Sequence, residues 1–231
     1  MQRRHRLAIG LVVLFAHLAS FGPAAAAPLP PGFVQAEEVV PALRTEVRYA
    51  TSQNFLGRPV AGYLAPKVIL TKEAARALAR VQERLRPFGL GLKVFDGYRP
   101  QRAVDDFVRW SKEPDDPKAR AEYYPDVPKE QILPLGYVAS RSSHSRGSTV
   151  DLTIVALDGP GAELDMGGSF DLFSPRSAPD FPGITVQQRA NRLLLRTLMM
   201  DAGFAPYAEE WWHFTLRDEP HRERIFDFPV E

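Results

Sequence analysis

The sequence predicts a single α+β domain in which helices pack on a small, mainly antiparallel sheet. Three amphipathic helical patterns are mixed along the chain with four short stretches that have the composition of strands. Neither an internal repeat nor a Pro/Gly/Ser-rich linker divides the chain, so these elements are expected to share one core. With 231 residues, of which 45% are hydrophobic and 25% charged, the chain is long enough to bury such a core.

The first half of the predicted domain contains two strands and two helices. Residues 43–49 alternate apolar and charged side chains, which indicates a half-buried strand, and residues 92–95 form a second, shorter one. A helix with an apolar residue every three or four positions follows Thr71, its expected N-cap, and ends near Pro87. The second helix is expected to begin just after Pro100.

The second half adds two long connections, two strands and a third helix. Residues 112–135 contain five prolines and many charges and are interpreted as a surface connection. Residues 157–184, rich in glycine and proline, indicate a long ordered loop, and such loops usually have a function. Residues 149–155 and 211–216 alternate as strands. Five apolar residues define the third helix, which Gly203 is expected to end: Val186, Ala190, Leu193, Leu194 and Leu198.

The first 26 residues have the layout of a secretory signal peptide. Basic residues at positions 3, 4 and 6 precede an apolar stretch, and three alanines at positions 24–26 form a small-residue cleavage signal. A membrane anchor is the weaker alternative, because the apolar run is short and contains His17. We therefore expect cleavage after Ala26 and a periplasmic domain of residues 27–231 with no membrane span.

Charge and cysteine content exclude several classes of protein. Three of the 29 basic residues and none of the 28 acidic ones lie in residues 1–26, which leaves the remaining chain nearly neutral. A neutral domain lacks the basic surface that nucleic-acid binding requires, so no nucleic-acid partner is expected. The absence of cysteine excludes disulfides and thiolate chemistry, and any metal must be bound by His, Asp or Glu.

Two of the histidines beyond the predicted signal peptide stand in conspicuous settings. His144 lies in a turn-rich stretch just before the strand that carries Asp151. His213 points away from the apolar face of the last predicted strand, whereas His221 lies among charged residues and is interpreted as a surface residue. A single histidine is more often a hydrogen-bonded core residue than a metal ligand, so neither is decisive alone.

The pattern becomes specific when the two histidines are taken with Asp151. If the strands at 149–155 and 211–216 share a sheet, Asp151 and His213 converge on the face that the core does not use, and His144 folds back to the same point. Two imidazoles and one carboxylate leave a fourth position open, which is the composition of a catalytic zinc site. Glu210 is the expected base, provided that a bend precedes the last strand.

Other hydrolase signatures are absent. The sequence contains no HExxH, GxSxG, SxxK or KTG motif, which excludes thermolysin-type and serine-dependent routes. Taken alone, Arg99 is a surface arginine in a turn. Beside a zinc site, its extended position before Pro100 makes it a candidate to stabilise an anionic intermediate.

Seven ordered segments together resemble the zinc D-alanyl-D-alanine dipeptidases of the VanX type. The resemblance runs from about Glu46 to the C-terminus and is specific because the segments occur in order. They are Tyr49-Ala-Thr-x-x-Asn-Phe-x-Gly-Arg-Pro-Val-x-Gly-Tyr63, Asp96-Gly-Tyr-Arg-Pro100, Gly136-Tyr-Val-Ala-Ser140, Ser142-Ser-His-Ser-Arg-Gly-Ser148, Met166-Gly-x-x-Phe-Asp171, Glu210-Trp-Trp-His213 and Phe226-Asp-Phe-Pro-Val230.

The resemblance implies roles for individual residues. It implies one zinc ion per chain bound by His144, Asp151 and His213, with Glu210 as the catalytic base and Arg99 as the transition-state arginine. Four further positions correspond to those that shape the substrate pocket of the family: Tyr49, Asp96, Ser142 and Asp171. The implied fold is the α+β domain that zinc DD-carboxypeptidases and the Hedgehog signalling domain share. The best-known resistance enzymes of the family are cytoplasmic, which differs from the export expected here.

The sequence is thus interpreted as an exported zinc dipeptidase that hydrolyses the small D,D-dipeptide D-Ala-D-Ala, in cell-wall turnover or D-alanine salvage. A DD-carboxypeptidase acting on peptidoglycan stem peptides remains an alternative, because it would use the same zinc chemistry in a more open site. A catalytically silent zinc-binding module is a second alternative, and Glu210 and Arg99 beside the ligands argue against it. The sequence leaves the oligomeric state undetermined.

Overall fold

The computed structural model describes residues 28–231, so the predicted signal peptide and its cleavage site lie outside the described residues. Within that range, strands β1–β3 and helix α1 are followed by β4, helices α2 and α3, strand β5, helix α4 and strands β6 and β7. Their bounds are β1 Phe33–Gln35, β2 Arg44–Thr45, β3 Ile69–Thr71, α1 Lys72–Leu85, β4 Leu90–Asp96, α2 Gln101–Trp110, α3 Pro117–Tyr123, β5 Thr149–Ala156, α4 Val186–Asp201, β6 Phe204–Pro206 and β7 His213–Leu216.

The main sheet has five strands in the order β2-β4-β5-β7-β6. Only the β2–β4 pair is parallel, and a separate antiparallel pair joins β1 to β3. The expected fold class, helices on a small and mainly antiparallel sheet, is therefore confirmed. None of the helices in residues 28–231 combines the length and apolar character needed to cross a membrane.

A bulge in β4 brings an acidic residue to the same place as the predicted ligands. Val94 pairs with Leu152, but after the irregularity Asp96 pairs with Asp151 rather than with a residue two positions away. Because side chains alternate across a strand, a bulge of one residue moves the following side chain to the other face. Asp96 therefore shares the face of Asp151 and not the core face of Val94.

Helix α1 follows its sequence pattern closely. Thr71 accepts a hydrogen bond from the backbone nitrogen of Ala74 and is the N-cap, as predicted. Leu78, Val81 and Leu85 are buried on the inner face of the helix, where they contribute to the core. Helix α2 also begins directly after Pro100, as expected.

Helix α4 has its predicted position, and Leu198 of the predicted apolar face is buried, but the other four residues of that face are exposed. Val186 is 84% exposed and Leu193 61% exposed, whereas Asn191 and Arg192 are buried beside Leu195. The buried amide and guanidinium donate hydrogen bonds to backbone carbonyls of the loop between β5 and α4. Those bonds turn a polar face inward, which hydrophobic periodicity cannot reveal.

Two further interpretations need correction. Residues 112–135 are not a plain surface connection, because they contain helix α3, which Pro117 begins and the side chain of Asp116 caps. Tyr124 and Ile132 of this stretch are fully buried. The strand predicted at 43–49 is reduced to Arg44–Thr45, since the chain turns into a 3-10 helix at Arg48–Ala50.

Residues 157–184, here called the Asp171 loop, form the long ordered connection that the sequence predicts. Apart from a 3-10 turn at Pro175–Ser177, the loop contains none of the helices α1–α4 and none of the strands β1–β7. The ring of Phe170 stacks on Phe95 of β4 with 4.6 Å between centroids and meets Trp212 edge-on at 5.6 Å. These contacts anchor the loop over the sheet beside the predicted ligands.

Candidate active site

Strand pairing brings the three predicted metal ligands together. Asp151 of β5 lies opposite His213 of β7, with 3.2 Å between Asp151 Oδ1 and His213 Nδ1. His144, in a 3-10 helix just before β5, places Nε2 3.2 Å from Asp151 Oδ2 and 3.3 Å from His213 Nδ1. Within residues 28–231, this is the one group of three ligand-type side chains found close enough to share a metal ion.

Hydrogen bonds on the far side of each imidazole fix its orientation. His144 Nδ1 lies 2.7 Å from the carbonyl oxygen of Gly97, an acceptor only, so Nδ1 carries the proton and the lone pair of Nε2 faces the cluster. His213 Nε2 lies 3.3 Å from Ser143 Oγ, which leaves Nδ1 facing the other ligands. Both histidines therefore present a nitrogen to the same point.

The electrostatics of the cluster favour positive charge at its centre. Burial opposes ionisation of Asp151, but its interactions with His144 and His213 outweigh burial and lower the pKa of the carboxyl. Burial likewise opposes protonation of His213, yet Asp151 and Glu210 raise its pKa to about 9. Asp151 Oδ1 is buried and accepts no well-aligned hydrogen bond. An orphaned carboxylate oxygen beside two imidazoles suits a bound divalent cation.

Glu210 reaches the cluster because the chain bends before β7. Residues 211–212 form a turn and the strand begins only at His213, so Glu210 and His213 point the same way. Glu210 Oε2 lies 3.4 Å from His213 Nδ1. The backbone nitrogen of Trp211 donates to the carbonyl of Ser177 at 2.9 Å, which holds the bend. The arrangement places a carboxylate beside the candidate metal position.

Arg99 lies beside the ligands and is held by a buried acid. Its Nε donates to Asp96 Oδ2 at 2.9 Å, and its Nη2 lies 3.4 Å from Asp151 Oδ2. Asp96 also accepts a hydrogen bond from the Tyr63 hydroxyl at 2.6 Å. Burial raises the pKa of Asp96, although Arg99 and His144 oppose that effect. Arg99 lines the pocket, whereas Asp96 supports it from behind.

Asp171 and Tyr49 also line the site. The hydroxyl of Tyr49 donates to Asp171 Oδ1 at 3.0 Å, while Asp171 Oδ2 is buried without a hydrogen-bond partner. Asp171 has a φ of +63°, an uncommon backbone conformation for a residue other than glycine. Burial raises the pKa of its carboxyl well above the ordinary value, and the negative charge of Asp151 adds to the effect. A cationic ligand group would offset both the burial of this carboxylate and its repulsion by Asp151.

These residues line one pocket of about 370 Å³. Its lining includes the three candidate ligands together with Tyr49, Arg99, Ser142, Asp171 and Glu210. The side chain of Ser142 accepts a hydrogen bond from the backbone nitrogen of His144 and caps the 3-10 helix that carries this histidine. Of the predicted site residues, only Asp96 lies outside the pocket lining, one layer behind Arg99.

The structure adds residues that the sequence reasoning did not single out. Ser143 orients His213, and Tyr207 packs its ring against the same imidazole at 5.3 Å between centroids. Gly97 supplies the carbonyl that orients His144, and a Cβ there would lie 2.7 Å from the carbonyl oxygen of Ile69. The sequence signals for them are weak: a serine beside a histidine, and a glycine directly after the strand carrying Asp96.

Comparison with known families agrees with this geometry. The family model described as D-ala-D-ala dipeptidase, Peptidase_M15, matches residues 30–231. The chain belongs to this family. The resemblance deduced from the seven segments is thereby confirmed, as is the expectation that the chain is an enzyme of the peptidase class.

Curated relatives resemble almost the whole of this family member. It is 48% identical over 198 residues to a D-alanyl-D-alanine dipeptidase of Streptomyces coelicolor, covering 86% of this chain and 98% of the relative. It is 42% identical over 200 residues to one of Enterococcus faecium, covering 87% and 98%. An Escherichia coli enzyme of the same name is 35% identical over 178 residues, covering 77% and 81%.

Proposed function

We propose that this enzyme is a zinc-dependent dipeptidase that hydrolyses D-Ala-D-Ala to two molecules of D-alanine. The observation that carries the proposal is that one pocket is lined by the His144, Asp151 and His213 cluster, by Glu210 and by Asp171, whose Oδ2 is buried without a hydrogen-bond partner. The names of the relatives supply the substrate.

The donor set fits zinc. His144 Nε2, His213 Nδ1 and a carboxylate oxygen of Asp151 would hold one ion per chain, and all three ligand atoms lie within 4.8 Å of one another. Two imidazoles and a carboxylate with an open position are typical of catalytic zinc. When bound there, zinc supplies Lewis-acid polarisation of a carbonyl and makes a water molecule more acidic.

Glu210 is assigned to proton transfer. Its carboxylate takes a proton from the attacking water and delivers it to the nitrogen of the departing D-alanine. The turn at residues 211–212 keeps this carboxylate beside the candidate ligand His213, 3.4 Å from its Nδ1. One group therefore serves both halves of the reaction.

Arg99 is assigned to stabilise the negative charge that develops on the carbonyl oxygen when water attacks the carbonyl carbon. It is held in place by its ion pair with Asp96 and by packing against the rings of Tyr49 and Phe107, at 5.2 and 5.1 Å from their centroids. A guanidinium fixed in advance loses little entropy when charge develops beside it, so its stabilisation is concentrated in the transition state. Asp96 positions Arg99 and does not itself touch the substrate.

The dipeptide differs from longer peptides because the two residues that flank its scissile bond carry both a free amino group and a free carboxylate. Asp171 Oδ2 would pair with the free amino group, with Tyr49 holding the other carboxylate oxygen. Ser142 lines the same pocket beside His144 and is assigned to the substrate carboxylate. An acylated amine, as in a peptidoglycan stem, would leave Asp171 buried and unpaired, which disfavours the DD-carboxypeptidase alternative.

An extracytoplasmic role completes the proposal. The signal-like residues 1–26 support export to the periplasm, where small peptides released from peptidoglycan would provide the dipeptide. Hydrolysis there serves salvage of D-alanine and cell-wall turnover. Fractionation of cells followed by immunoblotting tests the location, and full-length protein retained in the cytoplasm would contradict it.

A metal-exchange experiment tests the proposed chemistry. Purified protein should contain one zinc ion per chain by elemental analysis and should release D-alanine from D-Ala-D-Ala. Dialysis against a chelator should abolish release, and one equivalent of zinc should restore it. Full activity in the metal-free protein would overturn the zinc-dependent mechanism.

A further inference from the structure

Arg192 of helix α4 is a buried guanidinium whose hydrogen-bond partners are backbone carbonyls. Only 3% of the residue is exposed. Its Nε donates to Met166 O at 2.6 Å, its Nη1 to Ala178 O at 2.7 Å and its Nη2 to Arg176 O at 3.0 Å. Burial lowers the pKa of Arg192 to about 10, so the group stays charged at neutral pH. A charge buried at such cost is retained only where its hydrogen bonds are satisfied.

The three carbonyls lie on both sides of Asp171 in the Asp171 loop. Met166 belongs to the segment before Asp171, here called the first limb, and Arg176 and Ala178 belong to the segment after it, the second limb. Asn191, the neighbour of Arg192 on α4, donates to Asp165 O at 2.8 Å, which is the second bond to the first limb and the fourth in all. Helix α4 thus holds the loop on both sides of Asp171, whose own φ is positive.

The second limb is also hydrogen-bonded to the segment that carries Glu210. Ser177, between the two carbonyls of the second limb, accepts a hydrogen bond from the backbone nitrogen of Trp211 at 2.9 Å. Trp211 follows Glu210 directly, and this bond holds the bend that aims the glutamate at the cluster. A displacement of the second limb would therefore move Asp171 and Glu210 together.

We propose that Arg192 is a positioning residue that fixes Asp171 and Glu210 relative to each other and so sets the preference for a dipeptide with a free amino group. The proposal rests on the proposed function, because it assigns Asp171 to the substrate amine. Arg192 does not line the pocket, so it is not assigned a contact with substrate or metal. Its effect is transmitted through the backbone carbonyls that it binds.

Variants of Arg192 and a control on the same helix separate this role from general stabilisation. Arg192→Met removes the donors but keeps an unbranched apolar stem, and Arg192→Lys keeps the charge with a smaller donor group. Arg196→Met is the control, since Arg196 pairs with Asp180, an exposed residue of the same loop. For each protein, kcat and KM are measured on D-Ala-D-Ala and on N-acetyl-D-Ala-D-Ala, together with zinc content.

Arg192→Met is expected to raise KM and lower kcat for the dipeptide while zinc content stays unchanged. The ratio of kcat/KM between the free and the acetylated dipeptide should fall by at least about tenfold, because a displaced Asp171 no longer forms an ion pair with the free amine. Arg192→Lys should show a smaller fall, and Arg196→Met should keep the wild-type ratio. If Arg192→Met does not fold, Arg192→Lys decides by the same ratio.

One outcome would contradict the positioning role of Arg192, and another would contradict the proposed function itself. If both Arg192 variants lose kcat on the two substrates in equal proportion, with unchanged KM and ratio, Arg192 is merely structural and the positioning role is overturned. If the wild-type enzyme itself shows no preference for the free dipeptide, the proposed function fails before any variant is considered, and the positioning role fails with it.

Discussion

Asp151 and His213 lie directly opposite each other on antiparallel strands β5 and β7, and Asp151 Oδ1 is 3.2 Å from His213 Nδ1. The register of two strands in a rigid sheet therefore sets the distance between two candidate ligands. Only His144 arrives from outside the sheet, and Gly97 O fixes its ring. A site built on strands in this way is organised before metal binds.

His213→Ala should remove both metal and activity. Two remaining ligands, His144 and Asp151, bind zinc poorly, and the substitution also removes the imidazole nitrogen that lies 3.2 Å from Asp151 Oδ1. Zinc content after dialysis and D-alanine release measure the effect. His221→Ala is the matched control, because His221 lies outside the pocket lining and should leave both quantities unchanged. Tight stoichiometric zinc in His213→Ala would remove His213 from the ligand set.

Glu210→Gln should keep the metal and lose most of the activity. The amide keeps the shape of the side chain but cannot accept the proton, and a positioned general base typically contributes about 10²–10⁴-fold to rate. Glu209→Gln, at the neighbouring position outside the pocket lining, is the control. A Glu210→Gln enzyme that retained more than about a tenth of the wild-type kcat would exclude this role.

Arg99→Lys should lower kcat strongly and change KM little. Lysine keeps the positive charge but cannot bind Asp96 and the developing oxyanion with one planar group, and an interaction made mainly in the transition state affects kcat. Steady-state kinetics on D-Ala-D-Ala measures the split. An effect confined to KM would instead make Arg99 an anchor for the bound substrate.

Gly97→Ala should destabilise the protein and weaken metal binding. The new Cβ would lie 2.7 Å from the carbonyl oxygen of Ile69, and the resulting shift would displace the carbonyl that orients His144. Overpacking of this kind costs about 1–3 kcal/mol, and loss of an orienting contact typically reduces metal affinity about 10–100-fold.

Denaturant unfolding and zinc titration measure the two effects of Gly97→Ala. Gly168→Ala is the control, since the nearest atom to its Cβ is 3.5 Å away. Unchanged stability and zinc affinity in Gly97→Ala would show that the loop adapts and that the carbonyl is not needed.

The part of the site that lies on strands could be predicted from the sequence. Period-two alternation places Asp151 and His213 away from the apolar residues of their strands, and the structure pairs them. Alternation is a local property, so a single sequence reveals it. The N-cap at Thr71 was predictable for the same reason.

The remaining features depend on contacts between distant segments. The bulge that moves Asp96 to the face of Asp151 has no local signature, and the bend at Glu210 depends on a hydrogen bond from Trp211 to Ser177. The buried position of Arg192 likewise follows from carbonyls of the Asp171 loop. Helix α3 is different, because Asp116 and Pro117 are a recognisable helix start.

The most direct test compares hydrolysis of the D-Ala-D-Ala bond in the free dipeptide with hydrolysis of the same bond at the end of a longer peptide. Purified enzyme is assayed for kcat/KM on D-Ala-D-Ala and on a stem pentapeptide that ends in D-Ala-D-Ala, with Asp171→Asn as the paired variant. Wild-type enzyme is expected to cleave the pentapeptide at least roughly 10³-fold less well, because the acylated amine leaves Asp171 unpaired. Asp171→Asn should narrow that gap, chiefly by damaging the dipeptide reaction. Equal kcat/KM on the dipeptide and the pentapeptide would contradict the dipeptidase assignment and favour a DD-carboxypeptidase.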